Sequence, residues 1–194
     1  MKGIDVQVDT TGKGEQLKEI GVEFVGLYLR QDRTSAAMCM DLAHHGIKRL
    51  SIYEKGYPTS RAYFVAAQGG TDAARAVAVA RLVGMPAGEI FFCVDYDASV
   101  SDLDAIDAYF VAARKVLSGT GYLASIYGSG MVCNHLVNKG LAHSGYLSGS
   151  KGWAGYAMFL PKAAVVQGAE ITNFCGGLDV DLDTISAGHE GVLW

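Results

Sequence analysis

Short apolar runs alternate with amphipathic stretches along most of this chain, and the period of each stretch predicts its secondary structure. The clearest run covers residues 90–94, which are all apolar and are followed by Asp95, Tyr96 and Asp97. A run without polar alternation is typical of a parallel strand that is covered on both faces. The clearest helix comes next, because apolar residues recur at spacings of three and four between positions 103 and 117. The pattern therefore predicts a buried strand with a charged tip, followed by a helix that packs on a sheet.

The remaining segments repeat this order of strand and helix. Strands are predicted at residues 3–8, 22–29, 49–53 and 121–127, with weaker ones at 145–147, 164–167 and 178–183. Helices are predicted at residues 14–20, 35–45, 71–83 and 131–138. The third of these helices is expected to begin at Thr71 and Asp72, because both residue types favour helix N-termini. Residues 55–70 show no clear period, so we predict an irregular or functional loop there.

Alternating strands and helices indicate the α/β class, and about eight strands favour a compact (β/α)8 TIM-like barrel. The length of 194 residues is below the ~250 that are usual for this fold, so some outer helices must be short or missing. A doubly wound open sheet is the alternative, and it would be expected to carry a glycine-rich phosphate loop after the first strand. Residues 9–14 do not form such a loop, and no Walker pattern occurs.

The composition mainly helps to exclude classes of partner, namely nucleic acids and membranes. Hydrophobic residues make up 50% and charged residues 19% of the chain, which predicts one globular domain over residues 1–194. A formal net charge of -4 without clustered basic residues argues against a nucleic-acid partner. No apolar segment is long enough to cross a bilayer, so we expect no membrane insertion.

The N-terminus and the cysteines bear on where the protein works. Residues 1–5 pass directly into a predicted strand without the apolar core of a signal peptide, so we expect synthesis in the cytoplasm. The four cysteines are scattered and form no CxxC pair, which predicts buried free thiols rather than a zinc site or a disulfide framework. We expect a monomer without a cofactor.

Polar side chains collect at the C-terminal ends of the predicted strands, which is where barrels of this kind place their active sites. Asp95 and Asp97 lie two residues apart and are expected to point the same way, about 6 to 7 Å apart. Several carboxylates on one rim would repel one another, and packing alone gives no reason to gather them. The strand-end residues are Asp5, Arg30, Glu54, Asp95, Asp97, Tyr127, Gln167 and Asp181.

A set of short motifs occurs in a familiar order, at residues 3–5, 27–30, 53–54, 70–73, 94–97, 121–122, 127–129 and 181–183. In these motifs the chain resembles a glycoside-hydrolase-like domain family of unknown function, which is itself similar to the glycoside hydrolase family 25 lysozymes. The resemblance implies a (β/α) barrel with a carboxylate-lined pocket. By looser analogy it implies cleavage of the glycan strands of peptidoglycan, or of a related glycan.

The sequence departs from those lysozymes at three positions. The lysozymes carry Asp-x-Glu on the strand that matches residues 91–97, with the Glu as general acid, and Asp97 stands at that position here. The shorter side chain retracts the proton donor by about 1.5 Å, a misplacement that can reduce the rate on the order of 100-fold. Tyr146, followed by Trp153 in a loop, stands where a tryptophan is often found, and Asp183 replaces an Asn.

Glycoside cleavage needs a carboxylic acid that protonates the leaving oxygen and a second group that stabilises positive charge or activates water. The resemblance assigns the acid to Asp97, or failing that to Glu54, and crowding of the carboxylates is expected to raise one pKa. Asp95 and Asp5 would then stabilise charge. The remaining rim residues would bind the sugar, by hydrogen bonds, charge or ring stacking: Arg30, Tyr53, Tyr96, Tyr127, Trp153, Gln167 and Asp181.

Two other functional classes remain open. The same pocket could bind a sugar or peptidoglycan fragment without turnover, and the absence of the Glu favours this. A metal-dependent hydrolase would use Asp5, Glu54, Asp95 and Asp181 to hold Mg²⁺ or Ca²⁺. The five histidines show no ligand spacing that would support a metal site. A cell-wall role would require delivery by other machinery.

Overall fold

The computed structural model describes all residues from Met1 to Trp194 and forms a closed barrel of eight strands in sequence order. The strands β1 to β7 are mutually parallel, whereas β8 runs antiparallel to both β7 and β1. Their bounds are β1 Lys2–Val6, β2 Phe24–Tyr28, β3 Lys48–Tyr53, β4 Gly88–Cys93, β5 Tyr122–Gly128, β6 Gly145–Leu147, β7 Val165–Phe174 and β8 Leu178–Ile185. The predicted barrel is confirmed, with the difference that its last strand closes the sheet as the second arm of a hairpin.

Short helices explain how the barrel closes within 194 residues. Only α3 and α4 exceed two and a half turns, with 17 and 15 residues, and no helix separates β7 from β8. The outer helices are α1 Gly14–Glu19, α2 Ala36–His44, α3 Ala66–Leu82, α4 Leu103–Leu117, α5 Gly130–Asn138 and α6 Tyr156–Phe159. None of them combines the length and the apolar character needed to cross a bilayer.

Two apolar layers lie on either side of the barrel wall. Strand β4 contributes to both, because Phe91 and Cys93 belong to the interior cluster while Ile90 and Phe92 belong to the outer layer beneath the helices. Successive side chains of a strand point to opposite faces, so a strand buried on both sides needs apolar residues throughout. Residues 90–94 are therefore all apolar because both faces of β4 are buried.

Helix α3 begins at Ala66, five residues before the predicted start at Thr71. The loop predicted for residues 55–70 therefore gives way to helix after Val65, and a Cβ atom on Gly69 would lie 2.2 Å from the carbonyl oxygen of Tyr109 on α4. Glycine is therefore required for the close approach of the two helices and does not mark a break. Asp72 is fully buried inside α3, where it accepts hydrogen bonds from neighbouring side chains, and is not a helix cap.

Strand β7 is also longer than predicted, because it extends to Phe174 and not merely to residue 167. Beyond Gln167 it pairs with β8 alone, and residues 168–173 are exposed. A strand segment that is exposed on both faces needs no apolar alternation, so this part of β7 lacks the pattern from which a strand is usually predicted. Together with the first half of β8, where Leu178 and Val180 are buried, it forms the β7–β8 ribbon. The ribbon rises beside the C-terminal rim of the barrel.

Candidate active site

A cavity of about 170 Å³ opens at the C-terminal rim of the barrel. Its walls come from the inward-facing positions of the strand ends, because side chains alternate along each strand. The lining residues are Asp5, Gln7, Tyr28, Ile52, Glu54, Cys93, Asp95, Tyr127, Tyr146, Gln167 and Asp181. A groove of about 340 Å³ adjoins the cavity, shares Asp5, Gln7 and Asp181 with it, and continues along the β7–β8 ribbon. Cavity and groove together form an acidic cleft.

A larger hollow of about 690 Å³ lies on the outer surface between α4 and β5. Its ionic groups are Arg114 and Lys115, and no carboxylate or histidine lines it. It offers no group that could exchange a proton near neutral pH, so the acidic cleft is the better candidate for chemistry despite its smaller volume.

Asp5 lies at the centre of the cleft, where β1 faces β2 across Gly26. A Cβ atom on Gly26 would approach the Asp5 Cβ to 2.6 Å, so this glycine makes room for the carboxylate. The side chain accepts hydrogen bonds from the hydroxyls of Tyr28 at 3.0 Å and Tyr146 at 2.9 Å, and from Gln167 Nε2 at 3.3 Å. Burial raises the pKa of Asp5, and these three hydrogen bonds oppose the shift.

Asp183 lies next to Asp5, fully inside the barrel. Its Oδ1 is 2.5 Å from the Tyr146 hydroxyl, which also contacts Asp5. A phenol has one proton and can donate to only one carboxylate, so the other contact requires a protonated carboxyl group as donor. Burial, together with the charge of Asp5, raises the pKa of Asp183 well above its usual range. The arrangement that fits is a neutral Asp183 that donates to Tyr146, which in turn donates to an ionised Asp5.

Glu54 and Asp95 differ from these two aspartates because no protein group donates a hydrogen bond to their side chains. Burial raises the pKa of Glu54 to about 7, with smaller contributions from the charges of Asp95 and Asp5 and an opposing one from Arg30. Burial also raises the pKa of Asp95. Both carboxyl groups line the cavity with free oxygens, so they are available to a ligand.

Gln167 connects the carboxylates to the polar wall of the cleft. Its Nε2 donates to Asp181 at 3.0 Å, while its Oε1 accepts from the Tyr127 hydroxyl at 2.8 Å and from the Gly149 backbone at 3.1 Å. These partners fix the orientation of the amide. Burial, and then the charge of Asp5, raises the pKa of Asp181 to about 6.

The structure brings Asp5, Glu54 and Asp95 together and leaves Asp97 outside the cavity. Strand β4 ends at Cys93, so the two-residue alternation that was expected to align Asp95 with Asp97 does not extend that far. Asp97 is exposed, and its Oδ1 accepts a hydrogen bond from the Ala154 backbone at 2.8 Å. It thereby anchors the loop that follows β6.

The predicted stacking residues also lie away from the cavity. Tyr53 faces outward and donates a hydrogen bond to Asp72, and Tyr96 packs against Phe64 with 6.0 Å between ring centroids. Trp153 lies half-buried in the loop after β6 and does not line the cavity. Arg30 also lies outside it and pairs with its neighbour Asp32 at 2.7 Å.

Five lining residues were not among the predicted site residues: Gln7, Tyr28, Ile52, Cys93 and Tyr146. Two of them, Tyr28 and Tyr146, donate hydrogen bonds to Asp5. Each of these two tyrosines lies in an apolar strand, where the pattern predicts that an aromatic residue belongs to the hydrophobic core. Counting in steps of two back from the strand ends would have placed both on the inner face. The metal alternative gains no support, because no group of three or more His, Cys, Asp or Glu side chains is arranged to hold an ion.

Comparison with known proteins assigns the family. Residues 15–184 match the model described as the Rv2525c-like, glycoside hydrolase-like domain. The chain belongs to this family. It is 30% identical over 200 residues to the uncharacterized protein FadG of Bacillus subtilis, and 30% identical over 173 residues to the uncharacterized protein YbfG of the same organism. These matches cover 94% and 77% of the chain, but only 34% of FadG and 23% of YbfG.

Two solved structures share the fold. The Tat-secreted protein Rv2525c of Mycobacterium tuberculosis, crystallised in complex with L-tartrate, superposes with a TM-score of 0.83 at 20% identity, covering 98% of this chain and 97% of that one. An uncharacterized protein of B. stearothermophilus gives a TM-score of 0.74 at 18% identity, with full coverage of both chains. Membership of this family makes the chain glycoside hydrolase-like.

Proposed function

We propose that this glycoside hydrolase-like domain cleaves glycosidic bonds in peptidoglycan or a related cell-wall glycan, with Glu54 as general acid. Glu54 carries the proposal, because its pKa of about 7 leaves a large fraction protonated at neutral pH and no protein group occupies its oxygens. A general acid works best when its pKa lies near the working pH. Asp97, the residue that matches the lysozymes' acid, lies outside the cavity and holds a loop.

The other carboxylates have complementary tasks in this mechanism. Glu54 donates its proton to the glycosidic oxygen as the bond to the leaving sugar breaks. Asp95, which has no hydrogen-bond partner in the protein, is free to attack the sugar or to activate a water. Asp5 accepts hydrogen bonds from two tyrosine hydroxyls and Gln167, which favour its ionised form, and in that form its charge stabilises the oxocarbenium-like transition state. The adjoining groove along the β7–β8 ribbon gives room for further sugar units.

Digestion of purified peptidoglycan, followed by mass analysis of the released fragments, tests this mechanism. We expect the parent protein to release muropeptides and Glu54→Gln to lose at least about 100-fold in rate, because the amide has no proton to donate. Asp97→Asn is the matched control and should retain most of the activity. Loss of activity in Asp97→Asn with survival in Glu54→Gln would return the acid role to Asp97.

Sugar binding without turnover is the second candidate. It is favoured by the displacement of Asp97 from the cavity, since the residue that aligns with the acid of active lysozymes is not available to a substrate there. A binding module would give a measurable dissociation constant for a muropeptide and no released fragments from the parent or from Asp97→Glu. Fragment release by the parent would exclude it.

We infer that the protein works at the cell wall, after export or delivery by other machinery. Support comes from the structural neighbour Rv2525c, which is Tat-secreted. Fractionation of cells that express the chain in its natural context would test this, because a purely cytoplasmic pool contradicts it.

A further inference from the structure

A second cavity, of about 400 Å³, lies behind the barrel wall next to the acidic cleft. The end of β3 separates the two, since Glu54 faces the cleft while its neighbours Tyr53 and Lys55 face the second cavity. Helix α3 and the segment after β2 complete its walls. The lining residues are Leu29, Arg30, Gln31, Asp32, Tyr53, Lys55, Arg75, Ala78 and Val79.

The charge of this second cavity is opposite to that of the cleft. Arg30, Lys55 and Arg75 line it, although the chain as a whole has more acidic than basic residues. Asp32 is the only carboxylate in the lining, and its side chain, 60% exposed, pairs with Arg30. Neither Lys55 nor Arg75 has a carboxylate within ion-pair distance. Two cationic side chains therefore line the same space without an ion-pair partner, and Arg75 also contacts the Tyr53 hydroxyl.

The apolar residues that line this second cavity are held in place by burial and by hydrogen bonds. Leu29 and Val79 are buried, and the Tyr53 ring is held from behind because its hydroxyl donates to Asp72 at 3.2 Å. Asp72 also accepts from Tyr63 and Tyr109, so it is satisfied within the protein and does not reach the lining. Arg75 is exposed on helix α3 and Lys55 is exposed in the segment after β3, so both are accessible to a ligand.

We propose that this second cavity binds the oxyanion of a small organic ligand, a phosphate or a carboxylate, through Lys55 and Arg75 with Arg30 at its edge. Arginine matches the geometry of both oxyanions by paired N–H donors, and lysine adds a compact charge. The volume falls in the range of small-molecule sites and exceeds the needs of a bare ion, so a phosphorylated or carboxylated sugar fits. The site is separate from the acidic cleft and requires no turnover.

Calorimetric titration of the full chain at low ionic strength tests this site. Glucose 6-phosphate and glucuronate are the charged probes, and glucose is the neutral one. We expect saturable binding of at least one charged sugar, weakened by about tenfold or more in the double variant Lys55→Ala/Arg75→Ala, because charge-assisted bonds to the oxyanion are lost. Arg81→Ala is the matched control, since Arg81 is exposed on the same helix and does not line the cavity.

The results of this titration would show whether the site binds phosphate, carboxylate or both, and some results would refute the proposed site. Binding of glucose 6-phosphate alone identifies phosphate as the ligand group, and equal binding of glucuronate identifies a general oxyanion site. Equal affinity for glucose, no binding of either charged sugar, or equal loss in Arg81→Ala would each overturn the proposal. If the double variant fails to fold, Arg75→Gln and Arg75→Lys provide the same comparison, with the lysine expected to retain more affinity. Because binding is measured, the result does not depend on whether the cleft is an active glycosidase.

Discussion

The two ends of the barrel each carry a glutamate, and the two glutamates differ in how many hydrogen-bond donors surround them. Glu89, at the start of β4, is buried and accepts hydrogen bonds from Ser125 and Ser144, with His143 Nδ1 at 3.0 Å. Glu54, at the end of β3, lines the rim cavity without any such donor. A buried carboxylate with a full set of donors contributes to stability, whereas one left without donors destabilises the fold and is available to a ligand. The contrast separates the structural end of the barrel from the functional end.

The chain termini close the structural end. Trp194 exchanges two backbone hydrogen bonds with Arg49, at 2.8 and 2.9 Å, and its indole nitrogen donates to Ser51 at 2.8 Å. The Arg49 guanidinium carbon lies 4.3 Å above the Trp194 ring, and Met1 and Leu193 pack against the interior cluster. Nothing comparable covers the rim, so the C-terminal end of the barrel remains open to ligands.

Removing Glu89 should have the largest effect on stability. We expect Glu89→Ala to lower the free energy of unfolding by about 3 kcal/mol, because Ser125 and Ser144 would lose their acceptor in a buried site. Glu54→Ala is the matched change at the other end and should stay within about 1 kcal/mol of the parent. Urea denaturation measures both, and equal losses would contradict the division into two ends.

The pH dependence of stability should report Glu54 directly. Its pKa rises from 4.5 to about 7 on folding, so the folded state holds the proton more tightly and stability falls as pH rises from about 4.5 to 7. Asp181, with a pKa near 6, acts in the same direction. We expect a loss of about 1 to 2 kcal/mol over this range after solvent screening, most of which disappears in Glu54→Gln. An unchanged pH profile in that variant would show that other groups cause the loss.

Substitution of Asp95 should change the stability of the fold less than the substitutions above. Asp95→Asn should leave the protein as stable as the parent near pH 7, or more stable by up to about 1 kcal/mol, because it removes one of several like charges at the rim. Thermal unfolding at pH 7 and at pH 4 measures the difference, which should shrink at the lower pH as the carboxyl groups become neutral. A loss above about 2 kcal/mol would identify Asp95 as a paired structural residue.

Substitution of Asp183 by asparagine should change the free energy of unfolding least. If this carboxyl is neutral and donates to Tyr146, Asp183→Asn should change the free energy of unfolding by less than about 0.5 kcal/mol at pH 7, because the amide can also donate. Asp5→Asn is the comparison and should cost more, since Asp5 is the ionised acceptor of three donors. Chemical denaturation of both variants decides this, and the reverse order would exchange the protonation states of the pair.

Local pattern was enough to predict the barrel and part of its rim. An apolar run that ends in a polar residue marks a buried strand and its tip, and in a parallel barrel all such tips meet at one end. This pattern predicts that Asp5, Glu54, Asp95, Gln167 and Asp181 lie together, and the structure does bring them together. The motif order pointed in the same way to the family that the chain belongs to.

Only the tertiary structure decided which rim residues face the same space. The side on which a residue lies depends on where its strand stops, and Asp97 lies outside the cavity because β4 ends at Cys93. The sequence alone determined the order of strands and helices, because these follow from short-range periodicity. Strand ends, the helix crossing at Gly69 and the partners of each carboxylate follow from contacts between distant segments, which no local pattern contains.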